Sequence, residues 1–287
     1  MQNRKDIIRK TPNFQPLYMP RQDPMRVIVF ASGGGGNLQA AIDISLREPA
    51  LLQVRLVVAD RLGIKAIDIA QQHNIPVIAD DFEKACGKWS ECKNNSKKIQ
   101  AYQKAAIKWH NDILTKIIDL EKGQQKPFDF VVLSYHRWIH GDLLLYFNKR
   151  IINQHAGDLT IMAEHNSLER KYRGINPVLM ALLDGEKKTR TSTFLVREGH
   201  DTGEILCQGP WVTHTGSLPV AKDTAWEHEV IQKQQSDWPS LTFALKHIAQ
   251  GEYGIMENEF HPDGGNVITF NNKPLPYGGV DIEKDLT

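Results

Sequence analysis

Two polar residues, Asn153 and His155, stand two positions apart at the end of a short apolar, strand-like run. Side chains of a β-strand alternate between its two faces, so this pair is expected to point the same way. An amide beside an imidazole can donate hydrogen bonds or move a proton. A third candidate, Asp201, lies between Gly199 and Gly203 in a loop-like stretch. Taken singly, each residue also has an ordinary explanation, as a structural histidine or a turn aspartate.

A glycine loop offers a second kind of chemistry. The apolar run RVIVFA stops at four glycines, and a helix-like segment follows Asn37. Backbone N–H groups at a helix N-terminus, together with its partial positive charge, favour an anion such as phosphate. The loop lacks the Gly-Lys-Ser/Thr of a P-loop and the third glycine of the dinucleotide fingerprint. A tight turn without a ligand and a nicotinamide dinucleotide site stay open as alternatives.

Strand-like and helix-like runs alternate around these residues and predict the sheet that positions them. The segments RVIVFA, QVRLVVAD, IPVIA and FDFVVLSYHR have the composition of strands, whereas LQAAIDISL and IKAIDIAQQHN have helical spacing. Such alternation implies right-handed crossovers and a mostly parallel sheet covered on both faces. We therefore predict an α/β fold with a doubly wound sheet. Its ligands should lie at the carboxyl ends of the strands near the switch point.

Composition shifts along the chain predict its domain organisation. Residues 1–24, with many polar side chains, are interpreted as an N-terminal arm before a single domain at 25–287. The lysine-rich segment at about 83–126 is predicted to be an inserted helical segment on the surface. A long helix with Asp223 as its N-cap, and then a hairpin rich in Gly, Asn and Pro, are expected to end the domain.

Composition and charge exclude several classes of partner. The chain has 287 residues, of which 41% are apolar, and a formal net charge of +1. It therefore lacks the broad positive surface that nucleic acids or anionic membranes attract, and we expect neither partner. Without a signal peptide or a membrane-spanning run, the sequence favours the cytoplasm. Cys86, Cys92 and Cys207 are interpreted as free thiols, because the number is odd and no metal-ligand pattern accompanies them.

The order of these pieces resembles the folate-dependent formyltransferase family, closest to its glycinamide ribonucleotide branch. The similarity covers about residues 25–280. It rests on RVIVFASGGGGNLQAAID, FDFVVLSYHRWI, the Asn-x-His strand, YRGINPVLMALLDGE, TSTFLVREGHDTGEILCQ and KPLPYGG. An Asn-x-His pair followed by a distant Asp-x-Gly is the most specific part of the pattern.

The resemblance implies a Rossmann-like formyltransferase fold and a reaction that uses 10-formyltetrahydrofolate as co-substrate and no metal. It assigns catalytic roles to Asn153, His155 and Asp201. In that reaction Asn153 and a protonated His155 would stabilise a tetrahedral oxyanion, and Asp201 would manage the proton of the attacking amine. The implied ligand contacts are Gly35, Gly36 and Asn37 for a substrate phosphate, and Arg137, Trp138, Ile139, Val196 and Asp201 for the folate pocket wall.

The acceptor implied by the resemblance is the amine of a phosphorylated small molecule similar to glycinamide ribonucleotide, which would place the chain in purine biosynthesis. Three departures from the family pattern bear on that acceptor. The loop after His155 is longer, Gln234 stands where an acidic residue grips the acceptor, and Phe194 stands where a second histidine is usual. A sugar-nucleotide amine, a non-catalytic nucleotide- or folate-binding homologue and a dehydrogenase are the alternatives. The sequence leaves open whether the chain forms a homodimer.

Overall fold

A mixed eight-stranded sheet forms the centre of the computed structural model, which describes residues 14–216 and 220–285. The strands of the described residues are β1 Phe14–Pro16, β2 Met25–Ala31, β3 Leu52–Ala59, β4 Val77–Ala79, β5 Phe130–Ser134, β6 Ile151–His155, β7 Met162–Ala163, β8 Asn166–Arg170, β9 Lys188–Thr189, β10 Ser192–Leu195, β11 Ile205–Gln208, β12 Val212–Thr213, β13 Tyr253–Phe260, β14 Asn266–Phe270, β15 Lys273–Pro274 and β16 Val280–Asp281.

Helices cover both faces of this sheet. Those of the described residues are α1 Gly36–Arg47, α2 Lys65–Gln72, α3 Phe82–Cys86, α4 Trp89–Cys92, α5 Ser96–Gln124, α6 Asp142–Tyr146, α7 Pro177–Leu183, α8 Lys222–Gln232, a π-helical turn Lys233–Asp237, α9 Trp238–Ala249 and α10 Ile282–Asp285. Buried side chains of α1, α2 and α9 form the core on one face, and those of α3, α5 and α6 form the core on the other. None of the helices in the described ranges is both long and apolar enough to cross a membrane.

The strand order confirms the predicted doubly wound, mostly parallel sheet. The order is β16-β11-β10-β6-β5-β2-β3-β4, and β2 is parallel to both of its neighbours, β3 and β5. All seven residues of β2 are buried, as expected for a parallel strand that is covered on both faces. From β2 the chain winds outward to β4 and then returns to β5 on the other side. The switch point therefore lies between β2 and β5.

A second, four-stranded sheet joins the two ends of the domain. Strand β13 forms the predicted hairpin with β14 and pairs on its other side with β1. Leu17 and Tyr18, which follow β1, are buried. The last part of the predicted N-terminal arm thus packs on the C-terminal sheet, whereas residues 1–13 lie outside the described residues.

The lysine-rich insertion is helical, as its spacing predicts. It forms α3, α4 and α5, and α5 begins at a side-chain cap in which Asn95 accepts a hydrogen bond from the backbone N–H of Lys98. Trp109, Ile113 and Ile117 recur at helical spacing and are buried against the sheet. The rest of α5 is a largely exposed polar surface.

The long C-terminal helix was predicted as continuous from its N-cap Asp223 to about Ala249, and this was wrong in two respects. A π-helical turn at Lys233–Asp237 separates α8 from α9, and α8 begins at Lys222 after the N-cap Ala221. Pro239 explains the break, since its ring has no N–H to donate and clashes with the carbonyl four residues earlier. The wider π turn relieves that clash and brings Asp237 into the protein interior.

Asp237 is an ionisable group held in a site that disfavours its charge. It is only 4% exposed, and the Thr191 hydroxyl at the start of β10 donates a hydrogen bond to its carboxyl group. Burial raises the pKa of Asp237 from 3.8 to about 6, against the opposing effect of the Thr191 hydrogen bond. The folded state therefore keeps a proton that the unfolded chain loses at lower pH. This group's contribution to the free energy of unfolding falls between about pH 4 and 6 and stays low above.

Asp237→Asn should abolish this pH-dependent loss, because the amide keeps the shape and cannot ionise. The free energy of unfolding of the variant minus that of the wild type should increase between about pH 4 and 6 by up to roughly 3 kcal/mol. Urea denaturation at a series of pH values measures both. A difference that stays constant across this range would contradict the prediction, whatever its sign.

Candidate active site

The loops after β2 and β5 meet at the switch point, as the sequence predicted. Ser32, directly after β2, donates its backbone N–H to the Ser134 carbonyl across 3.0 Å. Its hydroxyl in turn accepts the backbone N–H of His136 at 2.9 Å. These bonds hold the start of the glycine loop against the segment that contains Trp138. The carboxyl ends of the central strands therefore open onto one crevice.

The glycine loop ends at the N-terminus of α1. Gly35 has a φ of 74° and a Cβ there would lie 2.9 Å from Ile69 Cδ1, so the close approach of α2 itself demands glycine. A Cβ at Gly36 would lie 3.2 Å from the Trp238 ring nitrogen, whereas one at Gly34 would meet nothing within 4 Å. The first N–H groups of a helix have no partner within it, and no acidic side chain stands in the first turn of α1. The predicted phosphate residues thus lie at an anion-favouring helix end, although packing also explains two of the glycines.

A polar contact ties this helix end to the neighbouring strand. The Asn37 side chain donates a hydrogen bond of 3.2 Å to Gln154, on the face of β6 opposite to Asn153 and His155. Burial lowers the pKa of His136, and the positive charges of Lys233 and Arg61 lower it further against an opposing effect of Asp60. Charged groups of both signs therefore act on His136 in the loop after β5.

Strand β6 places Asn153 and His155 on one face, as predicted. Asn153 is opposite Leu133 of parallel β5, and His155 is opposite Ser192 of antiparallel β10. The Asn153 side chain is half-buried. Within the described residues we find no hydrogen-bond partner for its amide. This amide is available to a ligand.

The His155 ring lies between two oxygen acceptors. Its Nε2 is 2.5 Å from the Tyr172 carbonyl oxygen, and its Nδ1 is 3.5 Å from Asp201 Oδ2. Both ring nitrogens can donate only in the imidazolium form, so this arrangement fits a protonated His155. A Cβ at Gly157 would lie 2.8 Å from the Tyr172 carbonyl and 3.0 Å from His155 Nε2, so glycine permits their close approach.

Asp201 is held as a carboxylate by donors on three sides. Its Oδ2 accepts the Gly174 backbone N–H at 2.9 Å and lies 3.5 Å from His155 and 3.6 Å from His200. Burial alone would raise the pKa of Asp201. The neighbouring His200 imidazole, the charge on His155 and the Gly174 N–H outweigh burial, and the pKa is lowered. Asp201 has a φ of 51°, an uncommon conformation for a residue with a side chain.

Among the predicted folate-wall residues, Trp138 is the most exposed, at 45%. Its ring meets His200 edge-on with a centroid separation of 4.1 Å, which joins the loop after β5 to the Asp201 loop. Arg137 instead lies 2.7 Å from Asp60 and 3.0 Å from Glu83, in a salt bridge over the Phe82 ring. The two apolar residues, Ile139 and Val196, pack against the core and are buried and half-buried respectively.

Comparison with known proteins identifies the family. A family model described as formyl transferase matches residues 25–215, which include every predicted site residue. The chain belongs to the folate-dependent formyltransferase family. Among curated relatives, the methionyl-tRNA formyltransferase of Syntrophomonas wolfei is 31% identical over 193 residues, which are 66% of this chain and 55% of that protein. The enzyme of the same name from Finegoldia magna is 32% identical over 123 residues, or 40% of this chain and 36% of that protein. The chain thus spans about a third to a half of these relatives' length.

Solved formyltransferase structures share the fold. The phosphoribosylglycinamide formyltransferase of Coxiella burnetii superposes with a TM-score of 0.61 at 21% identity, over 90% of this chain and 99% of that one. The protein of the same name from Bacillus halodurans is 26% identical with a TM-score of 0.52, over 77% of this chain and 95% of that one. The mixed sheet and its helices therefore follow the formyltransferase architecture.

Sequence reasoning missed several residues that shape this candidate site. His200 directly precedes Asp201, and that adjacency was the available signal. Tyr172 and Gly174 act through backbone groups, which carry no side-chain signal. Arg170 binds the main chain of the Asp201 loop from a distant hairpin, and its role follows only from tertiary structure.

The residues at two positions where this chain departs from the family pattern have clear structural settings. Phe194, in the place of the usual second histidine, is 2% exposed and packs with Leu159 and Ile205. Gln234, in the place of the acceptor-gripping acid, lies exposed on the π turn. Within the described ranges, no three His, Cys, Asp or Glu side chains are grouped to hold a metal ion. The three cysteines are free thiols, as predicted.

Proposed function

We propose that the protein transfers the formyl group of 10-formyltetrahydrofolate to the amine of a phosphorylated small molecule, with glycinamide ribonucleotide as the reference acceptor. One observation carries the proposal: an available amide, Asn153, stands beside the ion pair of His155 and Asp201 at the switch-point crevice. A helix N-terminus suited to phosphate and the exposed Trp138 ring flank that crevice. Family membership supports the same reaction.

The side chains divide the chemistry according to their contacts. When an amine attacks a formyl carbon, the carbonyl oxygen becomes an oxyanion that needs donors already in place. Asn153 supplies its free amide N–H. His155 has both nitrogens directed at protein oxygens, so its contribution is the positive charge of the imidazolium rather than a free N–H. Asp201, whose lowered pKa keeps it ionised at neutral pH, takes the amine proton directly or through one water. The same proton then goes to the folate nitrogen as the bond between that nitrogen and the formyl carbon breaks, which releases tetrahydrofolate.

The acceptor and the donor would approach from different sides of the β6 end. A phosphate at the N–H groups of Gly36 and Asn37 would lie on the α1 side, where Asn37 contacts Gln154. The folate ring would lie against Trp138 and the Val196–Asp201 loop, on the side of Asn153 and His155. Transfer would then take place across the end of the strand. Gln234 is neutral and cannot supply a carboxylate to the acceptor amine. Other groups must therefore recognise that amine.

Methionyl-tRNA is a second candidate acceptor. The curated relatives carry that activity in their names, and one of them is 31% identical. Residues 92–111 also contain five lysines and no acidic residue, and these lysines are exposed. Such a surface beside the aromatic rings of Trp89 and Trp138 is suited to a polyanion. The near-neutral net charge of the chain argues for the small acceptor instead.

Transfer of isotope from donor to acceptor tests the function directly. With formyl-labelled 10-formyltetrahydrofolate, label should appear on glycinamide ribonucleotide. An amino-sugar nucleotide and methionyl-tRNA are the parallel acceptors, and transfer to one of these alone would reassign the acceptor. Hydrolysis of the donor without transfer, or no reaction with any acceptor at saturating donor, would contradict formyl transfer to these amines.

Gly34→Asp should weaken binding of a phosphorylated acceptor. A side chain at Gly34 meets no neighbour and φ is not in the left-handed region, so the variant adds a carboxylate without a packing change. Repulsion at the helix end should raise KM for the acceptor by about tenfold and leave donor affinity unchanged. Gly34→Asn is the control of equal size and no charge. Equal effects of the two variants, or no effect of the carboxylate, would contradict the phosphate assignment.

Asp201→Asn should lower kcat while the fold survives, because the amide keeps an acceptor for the Gly174 N–H but cannot take a proton.

Asn153→Ala should lower kcat on the order of 10²–10³, the usual loss for one oxyanion donor. Steady-state kinetics and melting temperature should be measured together. Asp112→Asn, on the exposed face of α5, is the control. If the site acts as a unit, the double variant that combines Asp201→Asn with Asn153→Ala should be little slower than the slower of the two single variants. Turnover of Asp201→Asn equal to that of the wild type would refute the mechanism.

A further inference from the structure

The hairpin inserted after His155 ends in a buried arginine. Its strands β7 and β8 pair antiparallel, and the residues between them and the first three residues of β8, which include the apolar Leu168, are exposed. Arg170, the last residue of β8, is only 5% exposed. A buried guanidinium must have its donors satisfied, so its partners indicate what the hairpin is built to hold.

Those partners are mainly the main chain of the Asp201 loop. Arg170 Nη1 donates to the Asp201 carbonyl at 2.6 Å, and Nη2 donates to the Gly203 carbonyl at 2.8 Å. Nε donates to the Tyr277 hydroxyl at 2.8 Å, and the Asp263 carboxylate lies 3.5 Å from Nη2. The planar guanidinium thus brackets the loop on both sides of Thr202. A lysine, with one flexible ammonium, cannot reproduce this fork.

The chain that leaves the hairpin touches the catalytic pair itself. Two residues after Arg170, the Tyr172 carbonyl accepts the His155 Nε2–H, and two residues later the Gly174 N–H binds the Asp201 carboxylate. We infer that residues 170–174 of the inserted hairpin form a positioning element of the active site, in which Arg170 is the residue that holds the Asp201 loop against His155. The inference rests on the proposed function, since it explains how that catalytic pair is kept together.

The Asp201 loop needs such a restraint. Asp201 adopts a left-handed φ of 51°, a conformation that is uncommon for a residue with a side chain. The stretch from Glu198 to His200 is largely exposed. At its C-terminal end, the Leu195 carbonyl is so close to Gly203 that a Cβ there would lie 1.5 Å away. Without Arg170, the two carbonyls of the loop lose their donors and the carboxylate is free to move away from His155.

The pH profile separates positioning from general stability. Asp201 is faced by His155 from β6, by His200 from its own loop and by the Gly174 N–H, while Arg170 binds its carbonyl and Asp263 lies beyond Arg170. Arg170→Met should move the carboxylate away from His155 and Gly174, so the pKa of Asp201 should rise towards its ordinary value. The acidic limb of the kcat profile should then shift to higher pH. Displacement by about an ångström should also reduce kcat on the order of 10².

Two control variants and an NMR titration complete the test. Arg170→Lys should restore at least part of the melting temperature that Arg170→Met loses. It should not restore the wild-type position of the acidic limb of the kcat profile. Arg55→Met, which removes an exposed arginine on β3 outside the candidate site, should match the wild type. Titration of the Asp201 carboxyl carbon by NMR reports the same shift in the free protein without any substrate. If the wild type shows no transfer, the proposed function fails while NMR still decides the positioning role. If folded Arg170→Met shows the same Asp201 titration and the same acidic limb of the kcat profile as the wild type, the inference is overturned.

Discussion

The parallel pairing of β2 with β5 is the constraint on which the rest of the site depends. It forces the chain to leave β2 towards β3 and β4 and to return on the other side, so the loops after β2 and β5 diverge over the same sheet edge. The Ser32 bonds to Ser134 and His136 fix that edge. Neighbouring β6 then ends at the same edge, which is why Asn153 and His155 lie beside a helix N-terminus that is remote in sequence.

The features predicted from sequence were those governed by local periodicity. The switch from alternating apolar runs to helical spacing, and four glycines between them, predicted β2, the loop and α1. The two-residue period of a strand put Asn153 and His155 on one face. The amphipathic spacing of α5 predicted a helix, because Trp109, Ile113 and Ile117 must share a buried side. In each case the physical cause acts within one element or between adjacent elements.

What escaped prediction depends on distant chain segments or on the backbone. The resemblance assigned Arg137 to the folate wall, but its guanidinium is engaged by Asp60 and Glu83. The π turn arises because a proline suitable for the start of α9 is incompatible with an uninterrupted α-helix from α8. The groups that fix the catalytic pair are a carbonyl, a backbone N–H and a buried guanidinium from one insertion. No local pattern around Asp201 contains information about them.

The charges around Asp201 explain how a buried carboxylate stays ionised. Phe194, which the resemblance matches to a histidine of the family, lies in an apolar cluster with Leu159 and Ile205 and contributes nothing polar. His200 nevertheless gives Asp201 a second imidazole, at 3.6 Å, and rests edge-on against Trp138. Asp201 therefore keeps a lowered pKa despite its burial, because the favourable charges and donors exceed the cost of desolvation. His200 thus lies between the Asp201 carboxylate and the exposed ring of Trp138, so one imidazole contacts both the ionised group and the aromatic surface of the crevice.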